Sequence, residues 1–200
     1  MSRARAGARM HRPSVILLGA LALVSLAACD KAGDSTAPVA GAAQGSAATL
    51  TRAIGSAPGL STVSAALKGT GLATVFEGAA PYTLLAPDDD AFGKLGASAA
   101  MLKAPENGAA MAAVIKAHVL PGYVTVADIN AALKTARGKP VRMKTMAGEE
   151  ITFARRGDAL TATAADGSTA KVSGSELTAG NGVAIPVDTV LKKVPTSSAG

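Results

Sequence analysis

The chain has 200 residues, with 20 Lys and Arg against 14 Asp and Glu, and only one Cys, two Tyr, three Phe and no Trp. A single cysteine excludes a disulfide framework and a thiolate metal cluster, and five aromatics are too few for a stacking platform for bases or sugars. Hydrophobic residues make up 48% of the chain, enough to fill one core.

Arg3, Arg5, Arg9 and Arg12 open the chain with no acidic residue among them, and an apolar run follows from Val15 to Val24. About ten apolar residues is the length of a signal core and too short to span a bilayer. Leu26-Ala27-Ala28-Cys29 comes next and resembles the lipobox of bacterial lipoproteins, in which the cysteine thiol is acylated and becomes the new N-terminus. The expectation is a lipoprotein signal peptide over 1–28, with lipid (palmitate) attachment at Cys29. That implies a bacterial cell-envelope protein, lipid-anchored to the inner or outer membrane, with its domain in the periplasm or at the surface. Several acyl chains at about 0.8 kcal/mol per buried methylene make such an anchor effectively permanent. Asp30 resembles the inner-membrane retention signal of some bacteria.

Without the four leader arginines, 16 cations face 14 acids, a net charge of +2. The basic balance therefore belongs largely to the leader and gives no support to a nucleic-acid partner. Residues 29–52 are mostly Ala, Gly, Ser, Thr and Pro, which cannot bury enough surface to offset their ordering entropy. They read as a flexible tether, spanning on the order of 25 Å for about 20 residues. The folded domain is expected over 53–194, with a disordered tail over 195–200.

Leu60, Val63 and Leu67 recur at helical spacing and are closed by Gly69; Leu72, Val75 and Phe76 predict a second short helix ending at Gly78. Tyr82 to Pro87 is a short apolar strand, and Leu84-Leu85 is too continuously apolar for a surface loop, so both strand faces should be covered. Pro87 ends it. Asp88 is placed to cap the next helix, with Asp89 and Asp90 at its positive dipole end, and Phe92 and Leu95 return that helix to the core. Asn107 to Val119 predicts the clearest helix, with Met111, Val114, Ile115 and His118 on one face, stopping at Pro121-Gly122. Ala127 to Ala136 predicts a further turn or two, with Ile129 and Leu133 inward.

After Gly138 the rhythm changes to period two. Val141, Met143 and Thr145 alternate, then Ile151, Phe153 and Arg155, then Leu160, Ala162 and Ala164, then Ala170 and Val172. Ala147-Gly148, Gly157-Asp158, Asp166-Gly167 and Asn181-Gly182 punctuate them as turns. Helices followed by an antiparallel meander indicate an α+β domain, with no internal repeat.

Three segments in this order resemble the fasciclin-like domain. Tyr82 to Leu95 is similar to its first signature, an apolar strand followed by Ala-Pro-Thr, an acidic residue and Ala-Phe. His118-Val119-Leu120-Pro121-Gly122 is similar to its His-Val-Val-Pro-Gly run, and Asn181 to Leu191 to its closing strand. The resemblance implies a wedge of antiparallel strands with short helices packed on one flank, and marks Asp88, Phe92, His118 and Asp188 as structural signature residues. Three positions depart from the pattern. Ala117 stands where a tyrosine usually precedes the histidine, Ile185 where the closing strand has histidine, and Pro186 where valine is common. The integrin-binding role linked to the tyrosine–histidine pair in animal members does not carry over, and Pro186 predicts that the last strand lies at an edge or carries a bulge.

The chemistry on offer is sparse. His118 is the one histidine beyond the leader, there is no Gly-x-Ser-x-Gly elbow, and the helix around it is apolar. It reads as a buried histidine bonded to a neighbouring loop. Asp88, Asp89 and Asp90 lack calcium-loop spacing and read as caps, and no cofactor or metal is expected. Arg156-Gly157-Asp158 spells an integrin-recognised tripeptide, but Gly-Asp between strands is ordinary hairpin chemistry. Lys134, Arg137, Lys139, Arg142, Lys144, Arg155 and Arg156 are a local excess of positive charge over Glu149 and Glu150, with Lys139, Arg142, Arg155 and Arg156 as candidate partner contacts. The reading is a membrane-tethered, non-enzymatic interaction module for protein–protein or cell-envelope adhesion contacts. Its partners would be the membrane, through the anchor, and an unknown protein or anionic envelope polymer. The alternative is a carrier of a small apolar ligand held between helices and sheet, with Met101 and Met111 supplying deformable space.

Overall fold

The computed structural model describes residues 48–194. The leader, Cys29, nearly all of the tether and the tail lie outside the described residues. Six α-helices occur among the described residues: α1 Leu50–Ser56, α2 Ser61–Gly69, α3 Asp89–Gly93, α4 Ala97–Lys103, α5 Gly108–Ala117 and α6 Val126–Thr135. The segment Leu72–Glu77 is helical but of the tighter 3-10 type. The strands are β1 Tyr82–Pro87, β2 Val119–Pro121, β3 Val141–Lys144, β4 Glu150–Arg156, β5 Ala159–Ala164, β6 Thr169–Lys171, β7 Leu177–Ala179 and β8 Gly182–Val187.

They form two four-stranded sheets, in the orders β2-β1-β8-β7 and β3-β4-β5-β6. The second sheet is the antiparallel meander that the period-two alternation predicts. In the first sheet β1 and β8 run parallel, from Tyr82 beside Gly182 to Pro87 beside Val187. The other pairs of that sheet are antiparallel.

β1 is apolar on both faces because it separates two cores. Leu84 and Ala86 pack with Leu50, Ile54, Val63, Phe76, Phe92 and Ile115 on the helical side. Leu85 faces the other way, with Val183, Ile185, Phe153, Ile129 and Leu133, where the second sheet and α6 close over it. The domain is thus layered as helices, first sheet, then second sheet with α6. Phe92, fully buried, contributes about 2–3 kcal/mol to the helical side.

Four expectations are corrected. The domain begins earlier than residue 53, because Leu50 and Ile54 of α1 are fully buried. The helix predicted to reach Val119 ends at Ala117 with His118 as its C-cap, because Val119 and Leu120 pair with Leu84 and Thr83 as β2. α6 starts and ends one residue earlier than expected, because a reciprocal cap between Thr125 and Asp128 starts it at Val126. Finally, Pro186 sits in β8, which lies between β1 and β7, not at an edge. The carbonyl of Pro186 accepts from Ser173, so its nitrogen faces that same side. The β7 ladder stops at Ala184, so the missing N–H falls where no strand needs it.

Candidate interaction site

The three signature segments meet at β1, which has β2 on one side and β8 on the other. Asp88 ends β1. Its N–H donates to Val187 at 3.0 Å, continuing the parallel ladder. Its Oδ1 accepts the N–H of Ala91 at 2.7 Å, the expected cap of α3, and its Oδ2 accepts the Ser173 hydroxyl at 2.9 Å. Asp188 ends β8 beside it. Its Oδ1 accepts the N–H of Lys171 at 2.8 Å, and its own N–H donates to the Lys171 carbonyl at 3.0 Å, closing the C-terminal end of the β6 edge.

His118 is fully buried. Its Nε2 accepts the N–H of Leu191 at 2.8 Å, which leaves Nδ1 as the donor to the Val114 carbonyl at 2.7 Å. Its backbone carbonyl accepts the N–H of Leu85 at 2.9 Å. Burial pushes the imidazole pKa down to about 4, only partly offset by the Val114 carbonyl and the Asp166 carboxylate. The ring is therefore neutral and both nitrogens are engaged, so it has no free lone pair to act as a base toward a substrate.

Asp89 lies in the first turn of α3, as expected, but its carboxylate bonds to another helix. Its Oδ1 accepts the N–H of Thr62 at 2.8 Å and its Oδ2 accepts the hydroxyl of Ser61 at 2.9 Å, so it caps α2. Burial alone would raise the Asp89 pKa, but these bonds from Thr62 and Ser61 hold it below the usual carboxylate value. Among the described residues, no group of three or more His, Cys, Asp or Glu converges as metal ligands. Asn181 and Gly182 do more than turn the chain. Asn181 Oδ1 accepts the N–H of Leu50 at 2.8 Å, tying down α1, and its amide donates to the Phe76 carbonyl. At Gly182 a Cβ would collide with the Tyr82 carbonyl oxygen and the Leu50 side chain.

The seven cations do not form one patch. Strand parity puts Arg142, Lys144 and Arg156 on the outer face of the second sheet, where Arg142 lies 4.0 Å from Glu150 with both groups exposed. An exposed pair of that kind contributes little. Arg155 points to the α6 side, donating to Asn130 Oδ1 and to the Asp158 carbonyl, both at 2.9 Å. It joins helix to sheet and remains exposed, on the opposite face from Arg142. Lys139 is exposed in the turn before β3. Gly157 takes φ 60 in the β4–β5 hairpin, the conformation that a tight turn requires there.

An open groove of about 340 Å³ runs between α2, α4 and α5, lined by Ala65, Ala66, Leu102, Pro105 and Met111 among others. It lies among helices, not between helices and sheet, and Met101 is exposed without lining it. No helix among the described residues is long and apolar enough to cross a membrane.

The Fasciclin domain profile matches residues 58–193. The chain belongs to the fasciclin domain family. It is similar to Protein sll1483 of Synechocystis, at 31% identity over 121 residues that make up 60% of this chain and 62% of that protein. Its fold is similar to that of a FAS1 domain pair from the insect cell adhesion molecule Fasciclin I, with a TM-score of 0.64 at 14% identity, covering 74% of this chain and 52% of that one. The chain thus spans less than two thirds of the length of either. The α+β architecture expected from the signatures is the one observed, and fasciclin domains are in general interaction or adhesion modules, not enzymes.

Proposed function

We propose that this protein is a lipid-tethered, non-enzymatic interaction module of the bacterial envelope, making protein–protein or adhesion contacts. One observation carries the non-enzymatic reading: the single imidazole among the described residues is buried and bonded on both nitrogens, each time to a main-chain group. Family membership supports the interaction role, and the sequence around Cys29 supports the tether. The exposed Arg142 and Arg156 on the outer sheet face, with Lys139 nearby, are the contact surface we assign.

Two experiments test this. Cross-linking of the mature protein in its own envelope, with partners identified by mass spectrometry, should recover a reproducible neighbour; recovery of none above background removes the interaction role. Radiolabelled palmitate should enter the wild type and not a Cys29→Ala variant, and labelling of that variant removes the anchor.

A second reading, carriage of a small apolar ligand, is favoured by the groove among α2, α4 and α5, whose volume of about 340 Å³ suits a small molecule. Native mass spectrometry after mild extraction separates the two by showing a bound mass or none.

A further inference from the structure

The two edges of the second sheet are treated differently by the fold. On β6 the outward N–H and carbonyl of Lys171 are both bonded to Asp188, which leaves one residue, Thr169, with its main-chain groups turned outward. On β3 the parity is fixed by the bond from Thr145 N–H to the Glu149 carbonyl at 2.8 Å, which makes that a bonded pair. Counting back along the register, Met143 with Ile151 and Val141 with Phe153 are bonded pairs. Arg142 and Lys144 therefore turn their main-chain amides and carbonyls away from β4. Beyond them the edge is closed: Met146 N–H donates to Val119 and Ala147 N–H to Lys116. Among the described residues, nothing takes the outward groups of Arg142 and Lys144.

An unpaired edge with two amides and two carbonyls is a template for one more strand. The side chains say which strand. Arg142 and Lys144 are exposed on the outer face, while Val141 and Met143 are partly buried on the rim of the inner core. A second copy pairing through β3 would set these cations against cations, which is unfavourable across a sheet. An acidic residue opposite each cation, alternating with an apolar residue against Val141 and Met143, satisfies both faces.

We propose that the β3 edge, Val141–Lys144, is a docking site for an extended partner segment of alternating acidic and apolar residues, added to the second sheet as a fifth strand. This names a partner class for the interaction module above and rests on that reading.

The test uses the full chain in detergent micelles, with a synthetic peptide of alternating Val and Glu as the probe. Amide exchange should slow about tenfold or more at Arg142 and Lys144 on binding, and stay unchanged at Val141 and Met143, which are already bonded to β4. A Val–Lys peptide should give no protection, and neither should the Val–Glu peptide N-methylated on its pairing edge. An Arg142→Glu/Lys144→Glu chain, altered only at exposed side chains, should reverse the preference in favour of the Val–Lys peptide. Three outcomes overturn the proposal. They are no binding, binding without protection of those two amides, or equal displacement by a polyanion such as alginate that shields the side chains and leaves the amides exchanging. Each of these leaves the interaction role standing on the cross-linking result, so the two failures are told apart.

Discussion

The imidazole of His118 accepts the backbone N–H of Leu191 at 2.8 Å, across 73 positions of sequence and with no exposure to water. Together with the Val114 bond it joins the end of α5 to the segment that follows β8. A buried pair of partners of this kind is expensive to leave unmet.

His118→Ala should therefore destabilise the domain by about 3 kcal/mol, the sum of a cavity and two orphaned backbone groups. Urea denaturation followed by circular dichroism measures it. A loss under about 1 kcal/mol would mean that water or a shifted chain replaces the ring at little cost.

The same histidine sets a pH dependence. Unfolded, it takes a proton near pH 6.5; folded, burial lowers that to about 4. Between these values the unfolded chain holds more protons, so stability is full above about pH 6.5 and drains away as the pH falls toward 4. The loss is about 3 kcal/mol in all. Stability curves from pH 8 to 4 should show this slope in the wild type and not in His118→Ala. Asp89, Asp128 and Asp166, all held below the ordinary carboxylate value of 3.8, contribute stability that goes only at lower pH still.

Asp89→Ala and Asp90→Ala separate two neighbours that look alike. The first removes the cap on Ser61 and Thr62 and should cost about 1 kcal/mol. Asp90 is exposed, and its replacement should be within about 0.5 kcal/mol of neutral. Thermal melts of the two variants decide it, and equal shifts would contradict the capping geometry.

Gly182→Ala should be more damaging than its one methyl implies. The added carbon meets the carbonyl of Tyr82 and the side chain of Leu50, so β1 and β8 must part or α1 must lift. A loss of about 3 kcal/mol is expected, seen as a lower melting temperature; a change under about 1 kcal/mol would show that the close approach is soft.

Much of this was legible in the residues. Leu84-Leu85 announced a strand buried on both sides, alternation from Val141 to Val172 announced the meander, and Asp88 its cap on α3. What escaped is what periodicity cannot carry. α1 rests on two apolar anchors, Leu50 and Ile54, in an Ala-, Ser- and Thr-rich stretch, and is held by Asn181 from far along the chain. The role of Asp89 on α2 is equally non-local. The basic residues looked like one cluster because sequence proximity hides which face each strand residue takes, and Arg155 and Arg156 take opposite ones. Pro186 read as an edge signal because the early end of β7 cannot be seen in the strand beside it.

The parallel pairing of β1 with β8 has a consequence for how the molecule comes into being. Each residue of Tyr82–Pro87 waits for a neighbour made a full hundred positions later. Such distant pairing is slow to form, and here it cannot begin until β8 has been made. Until then the β1 edge that faces β8 has no strand to pair with. Clipping it just before Gly182 would not fray one end; it would leave the central layer without its keystone.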